Sequence, residues 1–232
     1  ALTTTGASSI TTADNLDTLS LISTDADANR GPNLRMYRNS GSPADGDLTA
    51  VVEFEGRNDN SQDVVYGQIK INAADVSDGT EDANMLIGTM VDGTVRSRIG
   101  LDPTETVLNE DSIDLDFRVE SNNLTNAFVI QGSDGAIGIG ESAPANKLEI
   151  RAASTVTTKS GHLMLTSTTG TNGNGPQIVF SESGSSASFA GGSIGFERTG
   201  SNGVGDLVFG TRASAGDANT ATTEQLKIAS TG

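Results

Sequence analysis

Short apolar runs with a period of two recur along the chain, at 19–23, 34–38, 48–55, 64–71, 85–90 and 94–99. Alternation of that kind puts one set of side chains on each face of a β-strand. Turn-forming clusters separate the runs, as at Gly41-Ser42-Pro43-Ala44-Asp45-Gly46 and Ser77-Asp78-Gly79, so each run is predicted to be a strand bounded by turns. Residues 1–17, rich in Thr, Ser, Ala and Asp, read as an irregular lead-in. One helix start stands out, Asp102-Pro103-Thr104-Glu105, with Asp as N-cap, Pro at the first helical position and Glu at the third. It predicts one or two helical turns ending near Asn109.

Residues 127–150, AFVIQGSDGAIGIGESAPANKLEI, read as strand, tight turn, strand, turn, strand. Asp134-Gly135 is a short hairpin signal. In the strand that follows, Ile137 and Ile139 share one face while Gly138 and Gly140 leave the other nearly bare, open to close approach by another backbone. Pro144 ends that strand, and Leu148 and Ile150 resume the alternation. Copies of such a strand packed around a common axis gain more than one copy alone, which points to a fibre with Ile137 and Ile139 in its axial core.

The runs also repeat. Leu19-Ser20-Leu21-Ile22 aligns with Leu148-Glu149-Ile150-Arg151, and Leu34-Arg35-Met36 with Leu163-Met164-Leu165. Val52-Glu53-Phe54-Glu55 aligns with Ile178-Val179-Phe180-Ser181, and Gly67-Gln68-Ile69-Lys70 with Gly192-Ser193-Ile194-Gly195. Leu86-Ile87-Gly88-Thr89 follows Leu207-Val208-Phe209-Gly210-Thr211 with one inserted residue, and Arg98-Ile99 aligns with Lys227-Ile228. Two similar modules are therefore expected to flank a glycine-rich connector: residues 1–108 with the lead-in, the connector at 109–147, and the second module at 148–232. Phe54, Phe180, Phe196 and Phe209 are expected to fill the module cores. Ser230-Thr231-Gly232 resembles Ser133-Asp134-Gly135, so a further strand of the Ile-Gly-Ile type is expected to follow it in the natural chain.

Composition sharpens this picture. Leu, Ile, Val and Phe supply only 51 of the 232 residues, near the roughly 20 % below which a charged chain is expected to stay disordered. A thin core per chain is remedied when several chains share apolar surface, since burial contributes roughly 25 cal/mol per Å² whichever chain covers it. With 30 acidic and 14 basic residues the formal charge is −16, which opposes binding to nucleic acid and to anionic membranes. Absence of cysteine excludes disulfides and Cys-ligated zinc. No apolar run is long enough for a membrane-spanning helix, and no basic segment precedes an apolar stretch as in a signal peptide.

At Asp134-Gly135-Ala136-Ile137-Gly138-Ile139-Gly140, Pro144 and Lys147-Leu148-Glu149-Ile150 the chain resembles the shaft regions of phage tail fibres, especially those of marine viruses. Ile194-Gly195-Phe196-Glu197-Arg198, Gly205-Asp206-Leu207-Val208-Phe209-Gly210-Thr211 and Thr223-Glu224-Gln225-Leu226-Lys227-Ile228 carry the same resemblance. It departs from the usual pattern at Gly140-Glu141, in place of Gly-Thr, and at Ala143-Pro144, in place of Ser-Pro. The resemblance implies a β-structured homotrimer in an extracellular tail fibre of a virion. Its partners would be copies of itself, other fibre or baseplate proteins, and a host surface glycan or protein. A trimeric bacterial surface adhesin or filament subunit, a capsid-surface protein and a glycan-cleaving tailspike are the competing readings.

Candidate chemistry is sparse. Gly138-Ile139-Gly140-Glu141-Ser142-Ala143 fits a dinucleotide pattern, but that pattern works only before a helix, which Pro144 and the strand-like Lys147-Leu148-Glu149-Ile150 deny; no cofactor is expected. Asp25, Asp27 and Asn29 space oxygen ligands as in a calcium loop, yet the glycine stands one place late and Met36 holds the position of the bidentate Glu, so an acidic turn is the expectation. The pairs Glu53/Glu55 and Asp114/Asp116 would each share a strand face, as acid and base of a glycosidase must be near each other; a solvated face is expected instead, since with no Trp and only Tyr37 and Tyr66 the chain offers little for a sugar to stack on. His162, the single histidine, has no nucleophile signature beside it and is expected on the surface or in a turn at the start of a strand at 163–165. Asn123-Leu124-Thr125 is a glycosylation sequon of the kind that arises by chance. The overall expectation is a non-enzymatic, all-β, elongated homotrimer of sandwich-like modules that holds a receptor-binding tip away from a particle.

Overall fold

Pairing between neighbouring runs organises the computed structural model, which describes residues 4–153, 161–181, 190–213 and 222–231. Thirteen strands form three sheets, and no helix occurs among the described residues. The chain divides into two compact units, Ala1–Phe117 and Arg118–Gly232, so the boundary falls inside the expected connector, with 109–117 in the first unit and 118–147 in the second.

In the first unit β1 (Asp47–Arg57), β2 (Asp63–Asp75), β3 (Asp82–Val91), β4 (Thr94–Leu101) and β5 (Thr106–Leu108) pair antiparallel in sequence order. Asp92 and Gly93 both take positive φ, +47° and +76°, and form the two-residue turn between β3 and β4. That turn matches the twist of the strands it joins. The expected helix at 102–109 is replaced by a turn and β5. The Asp102 N–H donates to the Glu105 carbonyl at 2.9 Å, and Leu101 and Thr106 face each other across the hairpin. Pro103 suits the second position of such a turn as well as it suits a helix start, and the open edge of β4 gives residues 106–108 a ladder that a short helix could not match.

The second unit holds two sheets. One runs β6 (Phe117–Ser121), β7 (Leu124–Ile130), β8 (Ile137–Ile139) and β9 (Leu148–Ile150), with β7–β8 antiparallel and β8–β9 parallel. The other runs β10 (Gln177–Ser181), β11 (Ala190–Arg198), β12 (Gly205–Thr211) and β13 (Thr223–Ile228), all antiparallel.

The ladders of β1–β4 and β10–β13 match step for step. Val52 opposite Ile69 and Ile69 opposite Ile87 correspond to Ile178 opposite Ile194 and Ile194 opposite Phe209. Phe54–Gly67–Thr89 corresponds to Phe180–Gly192–Thr211. Even the irregularities coincide: a register shift after Phe54 recurs after Phe180, and one after Ile87 recurs after Phe209. Shared bulge positions bend and twist both sheets at the same places. The ladders also correct two sequence alignments. Ile87 corresponds to Phe209 rather than Val208, and Ile99, opposite Ile87, corresponds to Leu226 rather than Ile228.

Several expected strands do not form. Residues 19–23, 34–38 and 163–165 make no ladder. Leu19-Ser20-Leu21-Ile22 aligns with β9, but β9 exists because β8 lies beside it, and the Thr- and Ser-rich residues before Leu19 supply no such strand. The sandwich expectation is not met among the described residues: the strands of each module form one sheet, and their apolar side chains stay half-buried or exposed. Val129 and Ala136, 2 % and 1 % exposed, are the buried apolar residues among those described. Phe54 and Phe180, expected in module cores, are 58 % and 55 % exposed, while Phe196 and Phe209 are half-buried. A single layer has no interior for them to enter. The whole chain exposes 17515 Å², whereas two separate folded units of this total mass would expose roughly 12,000 Å².

Candidate functional site

The connector hairpin is the most tightly built part of the molecule. Gln131 and Ala136 close the loop between β7 and β8 through the Gln131 N–H and the Ala136 carbonyl at 2.9 Å, and the Gly135 N–H donates to the Gln131 carbonyl at 2.9 Å. Asp134 Oδ1 accepts the Ala136 N–H at 2.9 Å, and Lys147 Nζ donates to the Asp134 carbonyl. Beyond β8 the ladder continues: Ile137 N–H donates to the Lys147 carbonyl, Arg151 N–H to the Ile139 carbonyl, and Gly140 N–H to the Asn126 carbonyl, at 2.8–2.9 Å. A Cβ on Gly138 would overlap the Glu141 carbonyl oxygen, and one on Gly140, where φ is +76°, would overlap the Arg151 carbonyl oxygen. The backbone that approaches these glycines is thus the chain's own. Pro144 is buried beside them, Ile137 is half-buried and Ile139 is 38 % exposed. A single chain therefore does not enclose the two isoleucines.

Glu141 locks this corner. Its Oε1 accepts the N–H groups of Ser142 and Ala143 at 2.9 and 3.0 Å, and its Oε2 accepts from Arg151 Nη1 at 2.5 Å. The Ala143 N–H, then the Arg151 guanidinium, hold the carboxyl at a pKa of about 2, because every bond favours the charged form. No sequence signal pointed to this role for Glu141. In place of a cofactor-binding helix, residues 141–147 form turns and irregular chain.

The remaining candidates are scattered. Asp25, Asp27 and Asn29 lie in an exposed turn whose carboxylates face inward: Asp25 Oδ1 accepts the Asp27 N–H at 3.3 Å, and Asp27 Oδ1 accepts the Asn29 N–H at 2.8 Å. The Asn29 N–H lowers the Asp27 pKa. Among the described residues, no group of three or more acidic or histidine side chains is arranged to hold a metal ion. Glu53 and Glu55 share one face of β1, since the extra residue at the adjacent register shift, Tyr66, is on β2, and both are exposed, as a solvated face requires. Asp114 and Asp116 precede β6 rather than sit in a strand, so the same-face argument lapses for them. His162 occupies an exposed bend, and Asn123 the turn between β6 and β7.

One depression, of about 390 Å³, lies on the β10–β13 sheet, lined by Gln177, Ser193, Gly195, Glu197, Gly210 and Glu224 among others. Its acids are engaged: Lys227 Nζ stands 2.7 Å from Glu197 and 3.4 Å from Glu224, and 3.6 Å from the buried Asp206. Glu197 first, and then Glu224, raise the Lys227 pKa. Asp206 Oδ1 accepts the Ser230 N–H at 2.9 Å, the chief cause of its lowered pKa. The cluster ties β11, β12 and β13 together.

No protein-family model matches the chain, and no curated protein matches it. Function must therefore be read from its own surface. What that surface offers is apolar: beyond the two buried residues, the aliphatic and aromatic side chains of both module sheets remain partly exposed. The sequence reading assigned such residues to closed cores. The parity of the alternation shows which of them share a face, and their exposure shows that, among the described residues, that face is not closed over.

Proposed function

We propose that this chain is a structural segment of a phage tail fibre, a homotrimer that spaces and positions a receptor-binding tip for host attachment. The observation that carries the proposal is the pair of single-layer sheets with matching registers and exposed apolar faces, accompanied by a glycine-rich hairpin sheet whose sequence resembles tail-fibre shafts. A chain built this way lacks an interior of its own, and copies of itself supply one at no cost in new sequence. Its role is mechanical, not catalytic. The surface charge of −16 keeps a long particle soluble and repels nucleic acid and anionic lipid. In the fibre it adjoins other fibre or baseplate proteins, and the distal tip meets the host glycan or protein.

Light scattering on the purified chain tests the assembly, with a mass of three chains expected. A mass of one chain at all concentrations removes the proposal. Gold-labelled antibodies raised against the chain test its place, with labelling along the tail fibres of intact particles expected. Labelling of a bacterial surface instead would favour the adhesin.

A further inference from the structure

We infer that copies of this chain meet through one defined face of each module sheet: the face carrying Val52, Ile69, Ile87, Ile99 and Leu108 in the first module, and Ile178, Ile194, Phe209 and Leu226 in the second. This rests on the self-assembly reading above and specifies its interface. Each set is an unbroken row of directly opposed residues crossing its sheet. Flanking rows on the same face are Ile71–Met85–Leu101 and Phe196–Leu207–Ile228, and, on the other side, Phe54–Gly67–Thr89 and Phe180–Gly192–Thr211.

The two faces of each sheet behave differently between the modules. On the inferred interface the central rows stay apolar or small and the Phe–Gly–Thr pairing recurs, with charge confined to the ends of the face, at Asp47 opposite Ala73, Arg96 opposite Thr89 and Arg198 opposite Gly205. On the opposite face Val51–Lys70–Leu86–Gly100 becomes Gln177–Gly195–Val208–Lys227, and Glu53–Gln68 becomes Val179–Ser193. Free drift on one side and fixed apolar chemistry on the other mean that both modules meet the same kind of apolar cover on the same side.

A second copy is the occupant that fits. The central apolar rows carry no charge, the charges of the face (Asp47, Arg96 and Arg198) standing at its ends, and contact centred on uncharged rows is what chains with sixteen excess negative charges need in order to approach one another. Apolar surface to cover is present on each sheet: Val52, Phe54, Leu101 and Leu108 of the first module and Ile178, Phe180, Leu207, Leu226 and Ile228 of the second are 38–58 % exposed.

Neighbouring residues on opposite faces make the test. Phe180 and Val179 are 55 % and 47 % exposed, and only Phe180 lies on the inferred interface. In light scattering at matched concentration, with circular dichroism to check strand content, Phe180→Glu and Phe54→Glu are expected to reduce the mass to one chain, while Val179→Glu stays assembled. Because the natural chain has no cysteine, Phe180→Cys and Val179→Cys provide a second readout that does not introduce a charge. Maleimide should label the assembled Phe180→Cys about tenfold more slowly than Val179→Cys, the protection being lost on dissociation. Assembly that survives both Phe→Glu substitutions, or equal labelling of the two cysteines, overturns the inferred face while leaving self-assembly standing. A natural chain that is monomeric throughout removes both.

Discussion

Three glycines of one hairpin separate two costs that are usually mixed. Gly135 has φ +68° and open space where a Cβ would stand; Gly138 has an ordinary φ but faces the Glu141 carbonyl; Gly140 has φ +76° and faces the Arg151 carbonyl. An alanine at 135 should therefore cost only backbone strain, about 1–2 kcal/mol. At 138 it must push backbone aside, about 1–3 kcal/mol, and it disturbs the neighbouring ladder bonds, each worth about 1 kcal/mol. At 140 both penalties apply, about 3–5 kcal/mol. That is a large share of the roughly 5–15 kcal/mol by which a domain is stable. Urea unfolding followed by circular dichroism should rank the midpoints Gly135→Ala, then Gly138→Ala, then Gly140→Ala, in falling order. If Gly138→Ala unfolds no earlier than Gly135→Ala, the close approach of the Glu141 carbonyl is not real and the argument fails.

Other outcomes follow from the charged contacts and the surface. Glu141, depressed from an ordinary 4.5 to about 2, contributes stability that is complete above pH 4.5 and lost as pH falls toward 2; Glu141→Gln should flatten the melting temperature across that window, and an unchanged slope counts against the carboxylate lock. Lys227→Met leaves Glu197, Asp206 and Glu224 together without their cation, so the melting temperature should drop and added salt should restore part of it. A drop that salt does not touch points to lost packing instead. Raising ionic strength should strengthen assembly of the natural chain, since copies bearing −16 each repel across solvent while their contact is apolar; sedimentation at low and high salt reads this directly, and weaker assembly at high salt would indicate an interface of ion pairs.

Much of the ladder was legible in the chain. The alternation at 48–55, 64–71, 85–90 and 94–99 is a local property, set by which side chains must share a face, and β1 to β4 form there. Asp134-Gly135 and the Ile-Gly-Ile strand were equally local, and so was the internal repetition. The misses have one cause. The run at 19–23 alternates as well as β9 does, yet it pairs with nothing, and Asp102-Pro103-Thr104-Glu105 turns a corner because β4 has an edge to fill. Local pattern says what a segment can become; available partners decide what it becomes.

Glu141 shows the same division at the level of one side chain. Its sequence neighbours mark a turn, but its role depends on Arg151, ten residues on, which the β8–β9 pairing brings within 2.5 Å.

The sequence by itself determined that this is a β protein of repeated modules, acidic, poor in large apolar residues and furnished with few groups suited to catalysis. Side-chain periodicity and composition are enough for that. Tertiary structure decided that the described strands of each module form one layer rather than two, that the close approach to Gly138 and Gly140 comes from the chain's own carbonyls, and that the apolar side chains of each sheet stay partly exposed. Those outcomes depend on which segments lie beside one another in space, and no run of residues encodes its neighbours.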